Sequence, residues 1–414
     1  MVVVPAKMGH LNKRSLLARL QRLGLASRAD LAKSLGMSQP TAGKIADEFL
    51  RLGVLEEVDS THTDRHVAPA NGTPRLGRPG RMLRLDRTHP RFLAVQLGVS
   101  ATRLTPMPVG AENDDHWTVE FATPGSADEW VASLSRAAVP LPSRGLWGLL
   151  VSMPGIVDEP AGRVLFSPNL HWTENRDLPG LIRQVWDVPV ILVQEERALA
   201  LGHQYANPDE DDFLLVDMGE GVGGAVILNG TVYVPRLPIS GELGHTPVPG
   251  NRRSCGCGGI GCVETLISTR GLLQSLASAH PRTAPSWAAL VRRLQERGME
   301  RWLATALDAA AAVISCSLNV LGLRRVVITG SPSELPPLVF RHLADSIIRG
   351  SLWGRFGQVD CVMAPRRRTA GLVAAAIDRL VVPLAEEDGR ASHLRLAGDE
   401  VTKRNSLNPG SALP

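Results

Sequence analysis

The sequence predicts an α/β chain with a small helical head and a large layered body, and three observations predict it. Residues 10–53 hold three helical patterns separated by glycines. From Phe92 onward, short apolar runs alternate with helical ones, which means α/β layers. The charge divides at the same place. Residues 1–87 carry fifteen Lys and Arg against eight Asp and Glu, a net +7, and the remainder is −3, within a total of +4 over 414 residues. A basic head on a slightly acidic body implies an anionic partner for the head alone. With 44% apolar and 21% charged residues the chain has ample core material, and its composition excludes disorder, collagen and coiled coil.

The head comes first, over 1–87. Leu16, Leu17, Leu20 and Leu23 form one apolar stripe, and Gly24 ends that helix. Ser27 with Asp30 three positions later is a capping pattern that opens a second helix through Leu35. Gly36 supplies a left-handed turn, and Ser38 caps a third helix with Ile45, Phe49 and Leu52 on its apolar face. Helix, glycine turn and helix at this spacing form a helix-turn-helix. Residues 54–58 and 82–85 can pair as a hairpin whose long loop, 59–81, is a wing carrying Arg75, Arg78 and Arg81 around Gly77-Arg78-Pro79-Gly80. Arginines on a stiff loop suit the narrow minor groove. Gln39, Thr41 and Lys44 open the third helix, where side chains reach base edges or phosphates. The bland alternative is a protein-interaction module; charge, wing and position favour double-stranded DNA.

In the body, 92–97, 146–151, 190–193, 213–216 and 326–329 read as strands, with helical patterns at 178–186 and 198–205. Asn229-Gly230 joins 225–228 to 231–234 as a hairpin. The start, MVVVPAKMGH, lacks the apolar core of a secretory signal. The most apolar stretch, 309–323, is shorter than the ~18 residues of a membrane span and carries Ser315, Ser317 and Asn319, so it reads as a buried helix. Five cysteines are a reducing-compartment density, and the expected location is cytoplasmic, with no membrane partner. The tail, 385–414, lacks periodicity and reads as disordered.

The strongest chemical signal is His245 followed by Cys255, Cys257 and Cys262 among glycines. One imidazole and three thiolates suit tetrahedral zinc, and no acidic residue completes an open hydrolytic site, so the zinc is expected to be structural. The competing reading is a loop of free or disulfide-bonded cysteines. Cys316 and Cys361 read as core residues.

Glu242-Leu243-Gly244-His245 followed by Cys255-Gly256-Cys257-Gly258-Gly259-Ile260-Gly261-Cys262-Val263-Glu264 resembles the ROK family of repressors, open reading frames and sugar kinases. The head is similar to the winged helix of that family's regulators. The resemblance implies that residues 88–384 form an actin-like (ribonuclease H-like), two-lobed sugar-kinase-type domain, with 245–262 as its zinc loop. It also implies that Asn169, Glu242, His245 and Glu264 bind effector hydroxyls, which carboxylates do well because each oxygen accepts hydrogen bonds. The family's Asn-Asp pair matches Gln194-Glu195, or Glu195-Glu196 if the register slips by one.

Where the family's kinases have Asp-x-Gly-Gly-Thr, this chain reads Gln96-Leu97-Gly98-Val99-Ser100. The second phosphate loop reads Gly219-Glu220-Gly221-Val222-Gly223, and a later glycine pair reads Gly330-Ser331-Pro332. An acid is missing, a branched side chain stands where phosphate needs close approach, and Glu220 would repel phosphate. The sequence therefore predicts a DNA-binding regulator, a repressor, whose body senses a sugar or sugar-derived effector. It would be a homo-oligomer, dimer or tetramer, that does not use ATP. The alternative is an ATP-dependent sugar kinase with a fused DNA-binding head.

Overall fold

The structure is a computed structural model that describes residues 5–58, 81–110, 115–237 and 239–384. The chain divides into two compact units, 90–375 and a second one that joins residues up to His89 with those from Ala376 onward. The sequence boundary placed 376–384 in the body, whereas this grouping puts them with the head.

In the head unit, helices α1 (Pro5–Leu23), α2 (Arg28–Leu35) and α3 (Gln39–Arg51) are joined by strands β1 (Ala26–Ser27), β2 (Leu55–Val58) and β3 (Met82–Leu85). The strands make one antiparallel sheet in the order β1-β3-β2, in which the hairpin partners pair Leu55 with Leu85 through Val58 with Met82. The Ser27 hydroxyl accepts the Asp30 N–H and Ser38 accepts the Thr41 N–H, so both predicted caps form. Gly36 closes α2 at φ 63°, a left-handed conformation open to glycine without strain. Leu16, Leu17, Leu20, Leu31 and Phe49 are fully buried, but Leu23 is exposed: α1 ends there, and Gly24 turns the chain away. The sequence had no signal for the two-residue β1, which exists only because β3 lies beside it. Ile377, Val381 and Val382 are buried in this unit, and Arg14 Nε meets Asp378 Oδ1 at 3.0 Å. The wing residues 59–80 and the tail lie outside the described residues.

The body unit is built on two five-stranded sheets. The first contains β4 (Phe92–Leu97), β5 (Ala101–Met107), β6 (Val119–Ala122), β7 (Gly148–Met153) and, after the small hairpin β8 (Ile156–Asp158) and β9 (Arg163–Phe166), β10 (Val190–Gln194). Helices α4 (Ala127–Ala137) and α5 (Leu178–Arg183) pack against it. After α6 (Glu195–Ala206), the second sheet contains β11 (Phe213–Met218), β12 (Val222–Leu228), β13 (Thr231–Val232), β14 (Arg325–Gly330) and β15 (Asp360–Met363). Between β13 and β14 run α7 (Glu264–Ile267), α8 (Thr269–Ala279), α9 (Trp287–Arg297) and α10 (Arg301–Leu321); α11 (Pro337–Gly350) and α12 (Arg368–Ala376) complete the unit.

The orders are β6-β5-β4-β7-β10 and β13-β12-β11-β14-β15. In each, the first three strands pair antiparallel and the last two join in parallel. The same topology therefore occurs twice, a repeat that residue identity does not reveal. Asn229 and Gly230 both adopt positive φ, as a tight hairpin turn between β12 and β13 demands.

The apolar stretch read at 309–323 belongs to a longer helix. α10 has 21 residues, long and apolar enough to cross a membrane, yet Leu303, Ala306, Leu307, Ala310, Ala311, Ile314 and Leu318 face Val326, Ile328, Val339 and Leu343 in the second lobe's core. Full burial of the leucine and isoleucine side chains is worth about 1.5–3 kcal/mol each. Cys361 is half-buried, but Cys316 is exposed, because it falls on the outward face of α10.

Candidate functional site

In the head, capping by Ser38 fixes where α3 begins and therefore which side chains lead it. Gln39, Thr41 and Lys44 are all exposed on that first stretch, and Ala42, Ile45 and Ala46 turn inward. Arg81 is exposed and pairs with Glu57, which also holds Arg28 at 2.9 Å; Arg28 in turn reaches Asp47 of α3 at 2.8 Å. Arg75 and Arg78 lie outside the described residues.

In the body, the segment from Glu242 to Glu264 folds back on itself. Bridges pair Pro247 with Cys262 and Ser254 with Ile260, which brings three cysteines together. Gly261 makes the return possible at φ 85°, where a Cβ would meet the Asn251 carbonyl oxygen at 2.6 Å. The ligand atoms of His245, Cys255, Cys257 and Cys262 all lie within 4.8 Å of one another. Cys257 and Cys262 sulfurs are 3.7 Å apart, and Cys255 Sγ is 3.5 Å from His245 Nδ1. Metal–sulfur bonds of about 2.3 Å with a metal–nitrogen bond of about 2.0 Å give tetrahedral edges of about 3.8 and 3.5 Å, so these four residues could hold a metal ion. Without a cation, burial and the adjoining sulfurs push the Cys262 thiol up to about 12. A divalent charge would reverse that preference.

The other ring nitrogen of His245, Nε2, is 3.7 Å from Glu242 Oε2. One imidazole thus lies between the cysteine cluster and the Glu242 carboxyl. Glu264, at the start of α7, accepts the Val222 N–H at 2.9 Å through one oxygen, and its other oxygen lies 3.9 Å from Cys255 Sγ. Burial raises the Glu242 carboxyl above the ordinary value, with Glu264 adding to the effect. Asn169 lies beside Gly256, its Oδ1 3.3 Å from where a Cβ would stand. Asn169, Glu242, His245 and Glu264 therefore gather about the loop that carries the three cysteines.

The pair at the end of β10 divides. Gln194 is buried, with its N–H bonded to Glu159 and its Oε1 without a partner. Glu195 turns to the Gln96 amide at 3.2 Å and to the Arg368 guanidinium. Glu196 is the neighbour of Gly223, and burial together with Glu195 and Glu242 pushes its carboxyl well above the ordinary range. Arg368, only 4% exposed, also binds Asp115, which caps α12 by accepting the Thr369 N–H at 2.8 Å.

The turns that resembled phosphate loops are also engaged. Glu220 accepts from the Ser100 N–H at 3.3 Å and from its hydroxyl. Asp217, at the end of β11, holds Arg366 through two bonds, 2.8 and 2.9 Å, and accepts the Thr329 hydroxyl at 2.6 Å. Burial opposes its charge, but Arg366 wins and keeps the carboxyl below the ordinary value. Sequence reasoning missed Asp217, Arg366 and Arg368. The run Arg366-Arg367-Arg368 between a strand and a helix was the available signal.

The sequence profile described as the ROK family matches residues 131–378. The chain is 24% identical over 279 residues to a xylose repressor of Caldicellulosiruptor bescii, covering 64% of this chain and 65% of that one. It is 27% identical over 270 residues to the DNA-binding transcriptional dual regulator NagC of Escherichia coli, covering 64% of each. The chain thus spans about 65% of the length of the first curated relatives it matches. Its fold is similar to a crystal structure of a ROK family transcriptional regulator homologous to the E. coli MLC protein. That likeness has a TM-score of 0.72 at 19% identity and covers 91% of this chain and 98% of the other.

Proposed function

The chain belongs to the ROK family, and from that premise we propose that it is a DNA-binding transcriptional regulator, a repressor, whose kinase-like body senses a sugar or sugar-derived effector. The observation that carries this reading is the head: a capped third helix that presents Gln39, Thr41 and Lys44 outward, with Arg81 at the end of the wing. Two relatives point the same way, since one is named a xylose repressor and the other a DNA-binding regulator. Two heads of a cytoplasmic homo-oligomer, dimer or tetramer, would read two half-sites of an operator. Arg75 and Arg78 of the wing would add minor-groove contacts.

The body supports sensing better than phosphoryl transfer. A general base must be free to take a proton, and Glu195 is instead bound to Arg368 and Gln96. Glu220 places a carboxylate on the Ser100 N–H, a donor that a phosphate loop would offer to nucleotide. Asn169, Gln194, Glu195, Glu242, His245 and Glu264 are proposed as the effector contacts, with Glu196 beside them. His245, Cys255, Cys257 and Cys262 would hold a structural zinc that fixes the segment of Glu242 against that of Glu264. An effector changes the operator affinity only through different affinities for two closure states of the body.

Genome-wide mapping of bound DNA supplies the operator, and fluorescence anisotropy on that fragment tests the head. Lys44→Ala should weaken binding across sequences and reduce the salt slope by about 1; unchanged affinity at all salt concentrations rules out the predicted docking face. Cys257→Ser should lower zinc content by mass spectrometry together with the melting temperature. A sugar panel with ATP should show no phosphorylated product, and turnover abolished by Glu195→Gln would establish the kinase instead.

A further inference from the structure

We propose that the open edge of the second sheet, β13 with the loop that follows it, is a face by which two copies of this chain associate. This rests on the homo-oligomer reading above and names the surface that would make it.

β13 is the outermost strand in the order β13-β12-β11-β14-β15, and among the described residues no strand pairs with its other side. Leu228 pairs with Thr231 and Ile227 with Val232, and the Tyr233 N–H reaches the Val226 carbonyl at 2.8 Å. In an antiparallel ladder the backbone groups of alternate residues point to opposite sides of a strand. The Tyr233 N–H faces β12, so the N–H and C=O of Val232 point to the open edge. Such an edge is a template for another strand unless something blocks it. The side chains beside it are apolar instead of charged. Tyr233, Val234, Leu237 and Ile239 are 46, 54, 69 and 53% exposed, four large apolar groups within seven residues. Single exposed apolar residues need no account, but a cluster of this kind marks a contact surface.

The charges around the edge select a second copy as the occupant. Arg236, exposed, follows the strand, and the exposed Asp211 and Asp212 flank the Asn229-Gly230 turn that precedes it. Asp212 accepts the Asn229 N–H at 2.7 Å, and Asp211 Oδ1 lies 3.1 Å from where a Cβ of Gly230 would stand. When two β13 strands pair antiparallel about a twofold axis at Val232, the end of one lies beside the start of the other. Val234 then stands opposite Gly230 of the second copy, and Arg236 reaches its acidic turn. The axis repeats the match, so the contact holds it twice. Pro235 has no N–H to donate, so the ladder stops after Val234 and the pair closes on itself.

Sedimentation velocity of the full chain over a range of concentrations tests this. Leu237→Asp and Arg236→Asp should each weaken self-association by on the order of tenfold or more, the second by setting like charges opposite one another. Adding Asp211→Arg and Asp212→Arg to Arg236→Asp should restore most of the loss, a recovery that local misfolding would not give. All four side chains are exposed, so the variants keep the fold.

Self-association unchanged by Leu237→Asp and by Arg236→Asp overturns the proposal and leaves the homo-oligomer reading standing. The edge then belongs to an extended segment of another protein. Loss in Arg236→Asp without recovery in the reversed-charge variant overturns the antiparallel pairing. A wild-type chain that stays monomeric at every concentration overturns the proposal and the homo-oligomer reading together.

Discussion

The two lobes carry the same hairpin at the same place in the same topology, and they fill it differently. In the first lobe, β4 ends Gln96-Leu97-Gly98 before the turn to β5; in the second, β11 ends Asp217-Met218-Gly219 before the turn to β12. Gln96 is neutral and shares its amide between Glu195 and Arg103, at 3.2 Å each. Asp217 is charged, buried and bound to Arg366 and Thr329. Both positions are satisfied from within the chain, one by neutral hydrogen bonds and one by an ion pair. Only the charged solution commits the lobe to a partner it cannot lose cheaply. The turns themselves then meet, since Glu220 of the second accepts from Ser100 of the first.

The largest effect expected from this contrast is Arg366→Met, which strands the Asp217 carboxylate in the interior. Breaking a buried pair in this way costs about 3–5 kcal/mol, readable as a lower urea midpoint; a loss under 1 kcal/mol, roughly the value of an exposed pair, would mean that the second hairpin does not depend on its charge. Acid should separate the lobes next. Because Arg366 depresses the folded carboxyl of Asp217, its contribution is present above the unfolded value of ~3.9 and is lost as pH falls through the folded one. Hydrogen exchange should therefore show β11 and β14 opening in acid, with no matching contribution from Gln96. Gln96→Ala should cost less, about 1–3 kcal/mol, as one buried amide and its bonds are removed. Ser100→Ala should stay within ~0.5 kcal/mol, the range of exposed positions. A Ser100 effect as large as that of Arg366 would make the contact between turns, rather than the Asp217 pair, the main constraint.

Much of the head was legible because its signals are local. Ser27, Gly36 and Ser38 act on backbone groups within three residues, so spacing alone announces the caps. The clustering of His245 and three cysteines was legible for a related reason: Cys255, Cys257 and Cys262 fall within eight residues, and cysteines in that number have few uses other than a metal or a disulfide. The fate of the Gln194-Glu195-Glu196 run was not legible. Which carboxylate turns to Gln96 and Arg368, and which stays near Glu242, depends on the β10–α6 junction and on a guanidinium 173 residues further along. Leu23 and Cys316 show the same limit. Their apolar character is plain in the sequence, but exposure follows from where α1 stops and which face α10 turns inward.

The sequence by itself determined the capped head with its excess of positive charge, the alternation that builds α/β layers, and the histidine and cysteines that could hold a metal. These rest on hydrogen bonds, periodicities and ligand types confined to short stretches of chain. Only the tertiary structure decided that the two sheets repeat one topology and that Asp217 and Arg366, 149 residues apart, close the second hairpin on themselves. An ion pair between distant residues leaves no periodic trace in sequence, because its geometry exists only once both strands and the helix after them are in place.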